Sequence, residues 1–510
     1  MKALKILFSR FSILFLATLA QVVALAVVLG FYAQYFVWLE AVSLLFSLIV
    51  ILHTVNRDTP AEFKLPWIML LTVSPILGVL LYACLANPKL RKRQSRALAE
   101  LERRRAEYLA LPSDQGERLG KVLGEHAGVE HYLNKTAYSH GTLGNSVSYY
   151  GEGDAFFDAL CRELERAKDF ILLEYFSIEK GALWDRIHAI LLKKHREGVE
   201  VRILYDDLGT LGKLSAGYAK HLSAEGLTCR RFNRLYPILS GIFNYRDHRK
   251  IAVIDGRVGF TGGLNVGDEY AGITHPFGKW KDAGVCIKGP SVGNLTLLFL
   301  QLWETAGAHG EADYSRYFPP IAPTTEEGGY CHAFGCGPRP FYREGIAENT
   351  LLNLIGGAKR SICITTPYLI VGHSLLTALK NAAGRGVDVR IITPHVPDKR
   401  TVFQLTRASY RPLLAAGVRI YEYTPGFIHA KQVLVDGTIA LVGSINLDHR
   451  SLSHHFECAA LLCHSPALGE VAADFAEVLA VSTEVDAASF HMGALGRLTA
   501  SLLSILSPLF

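Results

Sequence analysis

Nine cysteines among 510 residues include no C-x-x-C pair, which excludes a zinc ribbon and a disulfide-stapled scaffold. Cys331 and Cys336 flank His332, but no second pair completes a metal site, and two plain thiols in a loop are expected there. Charge of one sign is also scarce outside a single segment. Residues 89–105 hold eight Lys/Arg and two Glu, so the 53 basic and 47 acidic groups of the whole chain balance everywhere else. Without a spread basic face, a nucleic-acid surface is excluded. Clustered carboxylates with metal-ligand spacing are missing too, and neither a metal nor another cofactor is expected. What remains is a chain that is half hydrophobic and one-fifth charged, too apolar to be disordered and long enough for two or three domains.

Much of that hydrophobicity lies at the start. Residues 11–39 carry no charge, a second apolar run follows Glu40 to about Val55, and a third covers 65–86 with Ser74, Pro75 and Gly78 inside it. At ~1.5 Å per residue the first run is long enough to cross a bilayer. Tyr32, Tyr35, Phe36, Trp38 and Trp67 stand near the run ends, where aromatic rings favour the headgroup region. A cleaved signal peptide would have a far shorter apolar stretch and no successors. Residues 1–88 therefore read as a multi-pass membrane anchor of two or three hydrophobic helices; either one run is re-entrant or interfacial, or the stronger basic cluster downstream overrides Lys2, Lys5 and Arg10. Lys89, Arg91, Lys92, Arg93 and Arg96 follow directly, which puts the bulk of the chain on the cytoplasmic side of the cell membrane and suits anionic headgroups. Residues 89–140 form a basic juxtamembrane helix and linker.

Beyond residue 141 the text changes to short β-branched runs alternating with helical patterns, and it is written twice. "GVEVRILYDD" at 198–207 and "GVDVRIITPH" at 386–395 are near copies, and "EGLTCRRF" from Glu225 matches "AGVRIYEY" from Ala416. Strands are expected at 170–176, 201–205, 362–366 and 389–393, with helices at 183–196 and from Ser374 to about Ala383. The period is too long for a solenoid. It predicts two similar α/β domains, 141–335 and 336–490, related by a pseudo-twofold axis, followed by an amphipathic tail at 491–510.

Each copy carries the same polar signature. "DHRKIAVIDGRVGFTGGLN" and "IHAKQVLVDGTIALVGSIN" both fit H-x-K-x4-D-x6-G-x-x-N. His248, Lys250, Asp255, Gly262 and Asn265 recur as His429, Lys431, Asp436, Gly443 and Asn446, every one shifted by 181 positions. One copy is a weak signal; two in register are not coincidence. A strand alternates faces, so His and Lys two apart share a side. Asp255 with Gly256, and Asp436 with Gly437, read as hairpin turns whose return strands bring the Asn back beside the His. Each half then has a base, a cation and an amide but no separate acid, and two halves together supply two histidines. That pair suits in-line displacement at phosphorus. One neutral imidazole attacks a phosphodiester to give a phosphohistidine, while the other, protonated, serves the departing alcohol. Two Lys and two Asn neutralise the equatorial oxygens, and a bell-shaped pH profile follows.

This arrangement resembles the phospholipase D superfamily with its duplicated HKD motif and, within it, the bacterial cardiolipin synthases. The likeness covers nearly the whole chain, through "KLPWIMLL", "LLEYFSI", "GGLNVGDEY", "TTPYL", "PGFIHAK" and "SLSHHFECA". It implies mixed-sheet α/β/α domains and a phosphatidyltransferase that joins two phosphatidylglycerols into cardiolipin and releases glycerol. It makes His248 the nucleophile and His429 the acid/base, assigns the motif's His, Lys and Asp to catalysis, and gives substrate contacts to Asn265, Asn446 and Ser444. It maps carboxylates that orient the histidines onto Asp282 and Glu457. Two departures stand out. Gly263 replaces the small hydroxyl residue that the second half keeps as Ser444, and His455 occupies the place before Glu457 where the family commonly has Asn.

Other features are plainer. Arg246, Arg249, Arg407 and Arg411 are expected as solvated loop or helix charges, with a second lipid phosphate as the alternative. Tyr175 and Tyr368 end equivalent strands, either lining the site or packing in the core. The tail "GRLTASLLSILSPLF" suggests an interfacial helix. A phospholipase D-type hydrolase would use the same histidines with water as acceptor; a nuclease lacks its basic surface, and a scaffold would not need both histidines.

Overall fold

The computed structural model describes residues 10–31, 36–86, 99–101, 103–105, 107–109, 115–236, 241–307, 313–321, 329–339, 341–488, 490 and 493–507. The basic cluster at 89–96, Tyr32, Tyr35 and Pro508 lie outside the described residues.

Two sheets with the same strand order form the body. The first is built from β1 (Ser146–Tyr150), β2 (Phe170–Tyr175), β3 (Glu200–Asp206), β4 (Thr228–Phe232), β6 (Lys250–Ile254), β7 (Val258–Gly262) and β9 (Gly284–Lys288), in the order β1-β9-β7-β6-β2-β3-β4. The second contains β10 (Tyr330–Cys336), β11 (Ser361–Thr365), β12 (Asp388–Pro394), β13 (Arg419–Tyr423), β15 (Gln432–Val435), β16 (Ile439–Gly443), β17 (His455–Cys463) and β18 (Ser482–Glu484), ordered β10-β17-β16-β15-β11-β12-β13-β18. In both, three parallel strands adjoin an antiparallel meander, so the sheets are mixed as expected. Three short strands complete the set: β5 (Arg246–Asp247), β8 (Lys279–Lys281) and β14 (Gly426–Ile428).

Strand β2 explains the layering. Its six residues are all buried, with Ile171, Leu173 and Tyr175 facing a core shared with the helices Gly153–Arg166 and Ala182–Arg196. Phe170 and Leu172 face the other way, into one continuous core that also holds the second sheet and the helix Val292–Ala306. A strand buried on both faces reads as an unbroken apolar run, which is why alternation is absent from it. Leu119, Leu123, Val129 and Leu133 enter the same core, so much of the expected linker is part of the body. Strand β10 also crosses the expected boundary at 335/336 and pairs along its length with β17, so the second sheet begins at Tyr330. Cys331 and Cys336 lie on this strand rather than in a loop. Five residues apart, they face opposite sides, while His332 between them pairs with Glu130 at 3.0 Å and Ser139 at 2.8 Å.

The hairpin turns have the expected chemistry. Asp255 and Gly256 have φ of 51° and 64°, Asp436 and Gly437 of 53° and 71°, the left-handed pair that a type I′ turn demands.

At the N-terminus, helices cover Arg10–Phe31, Phe36–Val55, Ala61–Val73 and Pro75–Leu85. The third apolar run is thus two helices, broken where Pro75 starts a new one after Ser74. Gly78 lets them meet, since a Cβ there would lie 2.8 Å from Leu71 Cα. Ser47 donates to Leu71 O, and Thr54 to the Tyr82 hydroxyl, tying the second helix to this pair. Among the described residues, no helix is long and apolar enough to cross a membrane. The helix Ala494–Leu506 packs on Ala61–Val73 and on Arg400–Ala408.

Candidate active site

Each motif histidine and lysine sit at the entrance to a strand, Lys250 as the first residue of β6 and Lys431 just before β15, and the other half holds the histidine there. Strand β5 pairs in parallel with β17, and the His248 N–H donates to Phe456 O at 2.9 Å. In the mirror arrangement β14 pairs with β8, and the His429 N–H donates to Lys281 O at 2.6 Å. One residue beyond each acceptor stands a carboxylate. Glu457 therefore takes the Nδ1–H of His248, 2.9 Å from both oxygens, and Asp282 takes that of His429 at 2.6 Å. Each histidine is thus oriented by an acid from the opposite half. With Nδ1 engaged, Nε2 is the nitrogen left available on both rings.

Burial and like charge set the protonation states. His248 is held well below the ordinary imidazole value, first by burial and then by Lys250, Lys431 and His429. His429 is pushed down to about 4 by burial and Lys431, against the pull of Asp282. Each lysine thus acts on the other half's histidine as well as its own, and the two rings share one electrostatic site. Burial also lowers Lys250 to about 8 and Lys431 to about 7. The lysine ammoniums donate to the carbonyls of His248 and His429 respectively. Phe176 borders His248 at 4.9 Å, and Tyr270 and Trp280 border His429 at 5.5 and 5.3 Å between ring centres.

The other residues expected at the site divide: the aspartates lie at turns, while Ser444 contacts the acid under His248 and Asn265 a tyrosine beside His429. Asp255 accepts the N–H groups of Lys168, Asp169 and Phe170, and Asp436 those of Lys359, Arg360 and Ser361. Both tie a turn to the start of the neighbouring strand, away from the histidines, so the motif's third letter is architectural here rather than catalytic. Asn265 accepts from Ser177 N–H and donates to the Tyr270 hydroxyl, whereas Asn446 has a buried Oδ1 without a partner. Ser444 is fully buried and donates to Glu457, as does Ser451, so its hydroxyl holds the acid instead of a substrate oxygen. Gly263 has a steric reason: a Cβ there would come within 2.1 Å of Asp282 Oδ1.

The arginines beside the first motif are not solvated. Arg246 is 1 % exposed and pairs with Asp206 at 3.3 Å; Arg249 is fully buried against Leu298 O, Gln301 and the Tyr342 hydroxyl. Polar partners on neighbouring elements compensate the charges, a pattern invisible from a run of basic letters. Arg407 reaches Glu422 at 3.4 Å, while Arg411 is exposed as expected. Tyr175 packs in the core, whereas Tyr368 stands beyond its strand's end and donates to Asp398 at 2.6 Å.

Sequence reasoning passed over a buried acid pair. Glu174, in the run quoted as "LLEYFSI", and Asp247 lie beside Arg249; burial lifts Asp247 to about 7 and Glu174 well above its ordinary value. The signal was a lone carboxylate in an otherwise apolar strand. His455, singled out in the sequence as a departure before Glu457, is no exposed histidine: its ring lies 5.4 Å from that of His248.

A family model described as "Cardiolipin synthase, PLD-like domain" matches residues 160–288 and again 351–479, together half of the chain and one match per sheet. A cardiolipin synthase of Geobacillus kaustophilus is 34% identical over 95% of this chain and 96% of its own. Cardiolipin synthase 2 of Bacillus anthracis is 37% identical over 87% of this chain and 86% of its own. Among solved structures, a phosphatidylserine synthase of Haemophilus influenzae superposes with a TM-score of 0.57 at 14% identity, covering 76% of this chain and 98% of that one, a likeness of fold. The duplicated sheet, the paired motifs and these similarities agree: the chain belongs to the cardiolipin synthase, phospholipase D-like family.

Proposed function

We propose that the protein transfers a phosphatidyl group from one phosphatidylglycerol to the glycerol hydroxyl of another, giving cardiolipin and glycerol. The observation that carries the reading is the reciprocal pairing of two buried histidines with carboxylates from opposite halves. In this mechanism His248 Nε2 attacks phosphorus, and the bond to the first glycerol breaks as His429 protonates the leaving oxygen. His429 then takes the proton of the second glycerol hydroxyl, whose oxygen displaces His248 from phosphorus. Both imidazoles are neutral at pH 7 in the empty site, since His429 lies near 4 and His248 well below its usual value. A bound phosphodiester anion raises both, so the substrate's own charge creates the acid that its leaving group needs. Lys250 and Lys431 balance the equatorial oxygens.

Access from a lipid phase belongs to the same proposal. Glu62 accepts His373 N–H, and Phe63 packs on His449 and His454, so the apolar helices dock beside the strand that carries Glu457. Their outer faces expose Leu44, Leu45, Leu48, Leu52, Leu65 and Val73, an apolar patch suited to hydrocarbon. Helices of 13 and 11 residues span about 20 Å or less each, the length of a re-entrant pair rather than of a crossing. The catalytic body then faces the cytoplasm at the cell membrane.

Incubating the purified chain in detergent with phosphatidylglycerol, and identifying products by mass spectrometry, tests the transfer. Cardiolipin with glycerol is expected; phosphatidic acid alone would make the enzyme a hydrolase.

A further inference from the structure

His455 is an anomaly in its surroundings. Its side chain is only 11 % exposed, yet both ring nitrogens are buried without a hydrogen-bond partner. Buried polar groups are almost always satisfied, so this ring calls for an occupant. The ring lies over the His248 and Glu457 pair: its Nδ1 is 3.8 Å from Glu457 Oε1, and ligand atoms of the three residues all lie within 4.8 Å of one another.

We propose that His248, His455 and Glu457 form a site for a divalent transition-metal ion, Zn²⁺ above all, whose binding blocks phosphatidyl transfer. Two imidazoles and one carboxylate are a donor set that Zn²⁺ takes with a further position open. Bonds of about 2.0–2.1 Å in a tetrahedron separate neighbouring ligand atoms by about 3.3 Å. The 2.9 Å between His248 Nδ1 and Glu457, and the 3.8 Å between His455 Nδ1 and Glu457, bracket that value, so small rotations of three side chains suffice. Support around the acid is already in place, because Ser444 and Ser451 both donate to Glu457 and fix its plane. Binding is a change of tautomer: the ion takes the Nδ1 lone pair of His248 and the ring's proton moves to Nε2, so the ring stays neutral, loses the lone pair that would attack, and the site gains the ion's two positive charges. Lys250 and Lys431 act on the same ring and limit the affinity to roughly micromolar, far below a structural zinc site. An ion there pins the imidazole that attacks phosphorus and cancels the carboxylate that supports it. The inhibition rests on the role proposed for His248; the binding does not.

The test uses the full chain in detergent micelles. Co²⁺ is titrated while visible absorption is followed, then Zn²⁺ is added. One equivalent of Co²⁺ is expected to give the strong band of a four-coordinate site, and Zn²⁺ to erase it. In parallel, cardiolipin formation is measured against Zn²⁺ concentration with and without EDTA. His455→Asn and His455→Gln, each checked for an unchanged melting temperature, should lose the band and require about tenfold more Zn²⁺ for half-inhibition, relative to their own metal-free rates. A wild-type chain that gives no band overturns the proposal without any variant. So does an equal band, or equal Zn²⁺ sensitivity, in the His455 variants. If cardiolipin never forms, the spectra still decide the metal site while the transfer reading fails alone.

Discussion

Lys431 shows how much chemistry one buried side chain carries. Burial lowers it to about 7, so its charge is present below that pH and disappears above it. His429, near 4 in the empty site, is neutral over the same span and becomes charged only in acid. The mechanism needs a neutral His248 and a charged His429, so kcat/KM of the free enzyme is expected to fall as pH rises through about 4 and to fall more steeply through about pH 7–8 as the lysines discharge. Lys431→Arg, whose guanidinium stays charged, should keep a fraction of the activity and move the alkaline limb upward by more than one pH unit; an unmoved limb would assign it to another group. Gly263 gives a steric counterpart. Its second-half equivalent is Ser444, yet a Cβ at 263 would meet Asp282 at 2.1 Å. Restoring the family's hydroxyl with Gly263→Ser is expected to lower stability by about 1–3 kcal/mol and to cost activity by displacing the acid under His429. Thermal melts and initial rates together check it.

At the scale of elements, the motif's aspartates act through turns. Asp255→Ala removes an acceptor from three backbone N–H groups and puts alanine at φ 51°, so a fall of several degrees in melting temperature is expected. The folded fraction should keep its specific rate within about twofold, which a catalytic aspartate would not allow. In the other half, the Ser361, Lys359 and Arg360 N–H groups outweigh the burial that would raise Asp436, and hold it below the ordinary carboxylate value. Its contribution is therefore complete above the unfolded value of about 3.9 and is lost as pH falls through the lower folded one; Asp436→Asn should flatten acid unfolding in that window. These strands and turns were legible in advance because their signals are local. Strands β6, β7, β15 and β16 lie within a residue of the apolar stretches 251–254, 258–261, 432–435 and 439–442 that flank the Asp-Gly pairs. The acids were legible only by likeness, and their crossing over was not. A two-residue strand such as β5 pairing with the other half leaves no period in the text. Neither does the burial of Arg246 and Arg249, which is settled by Asp206 and Tyr342 on distant segments.

For the whole molecule, the duplication does more than supply two copies. Each half is incomplete, because the acid under His248 comes with β17 and the acid under His429 follows β8. Separating the halves would therefore disorder both histidines at once, and the shared apolar core makes that separation costly. The crossing also lets the two roles be told apart from the far side of the molecule. A natural glycerol leaving group needs a proton from the acid, whereas a p-nitrophenyl phosphatidyl ester leaves without one. Asp282→Asn, which weakens His429, should slow phosphatidylglycerol turnover by about 10²-fold or more yet retain the rapid release of one equivalent of p-nitrophenol. Glu457→Gln, which weakens the attacking His248, should slow both substrates alike. Stopped-flow absorbance on the two variants reads this directly, and the reverse pattern would exchange the nucleophile and the acid between the halves.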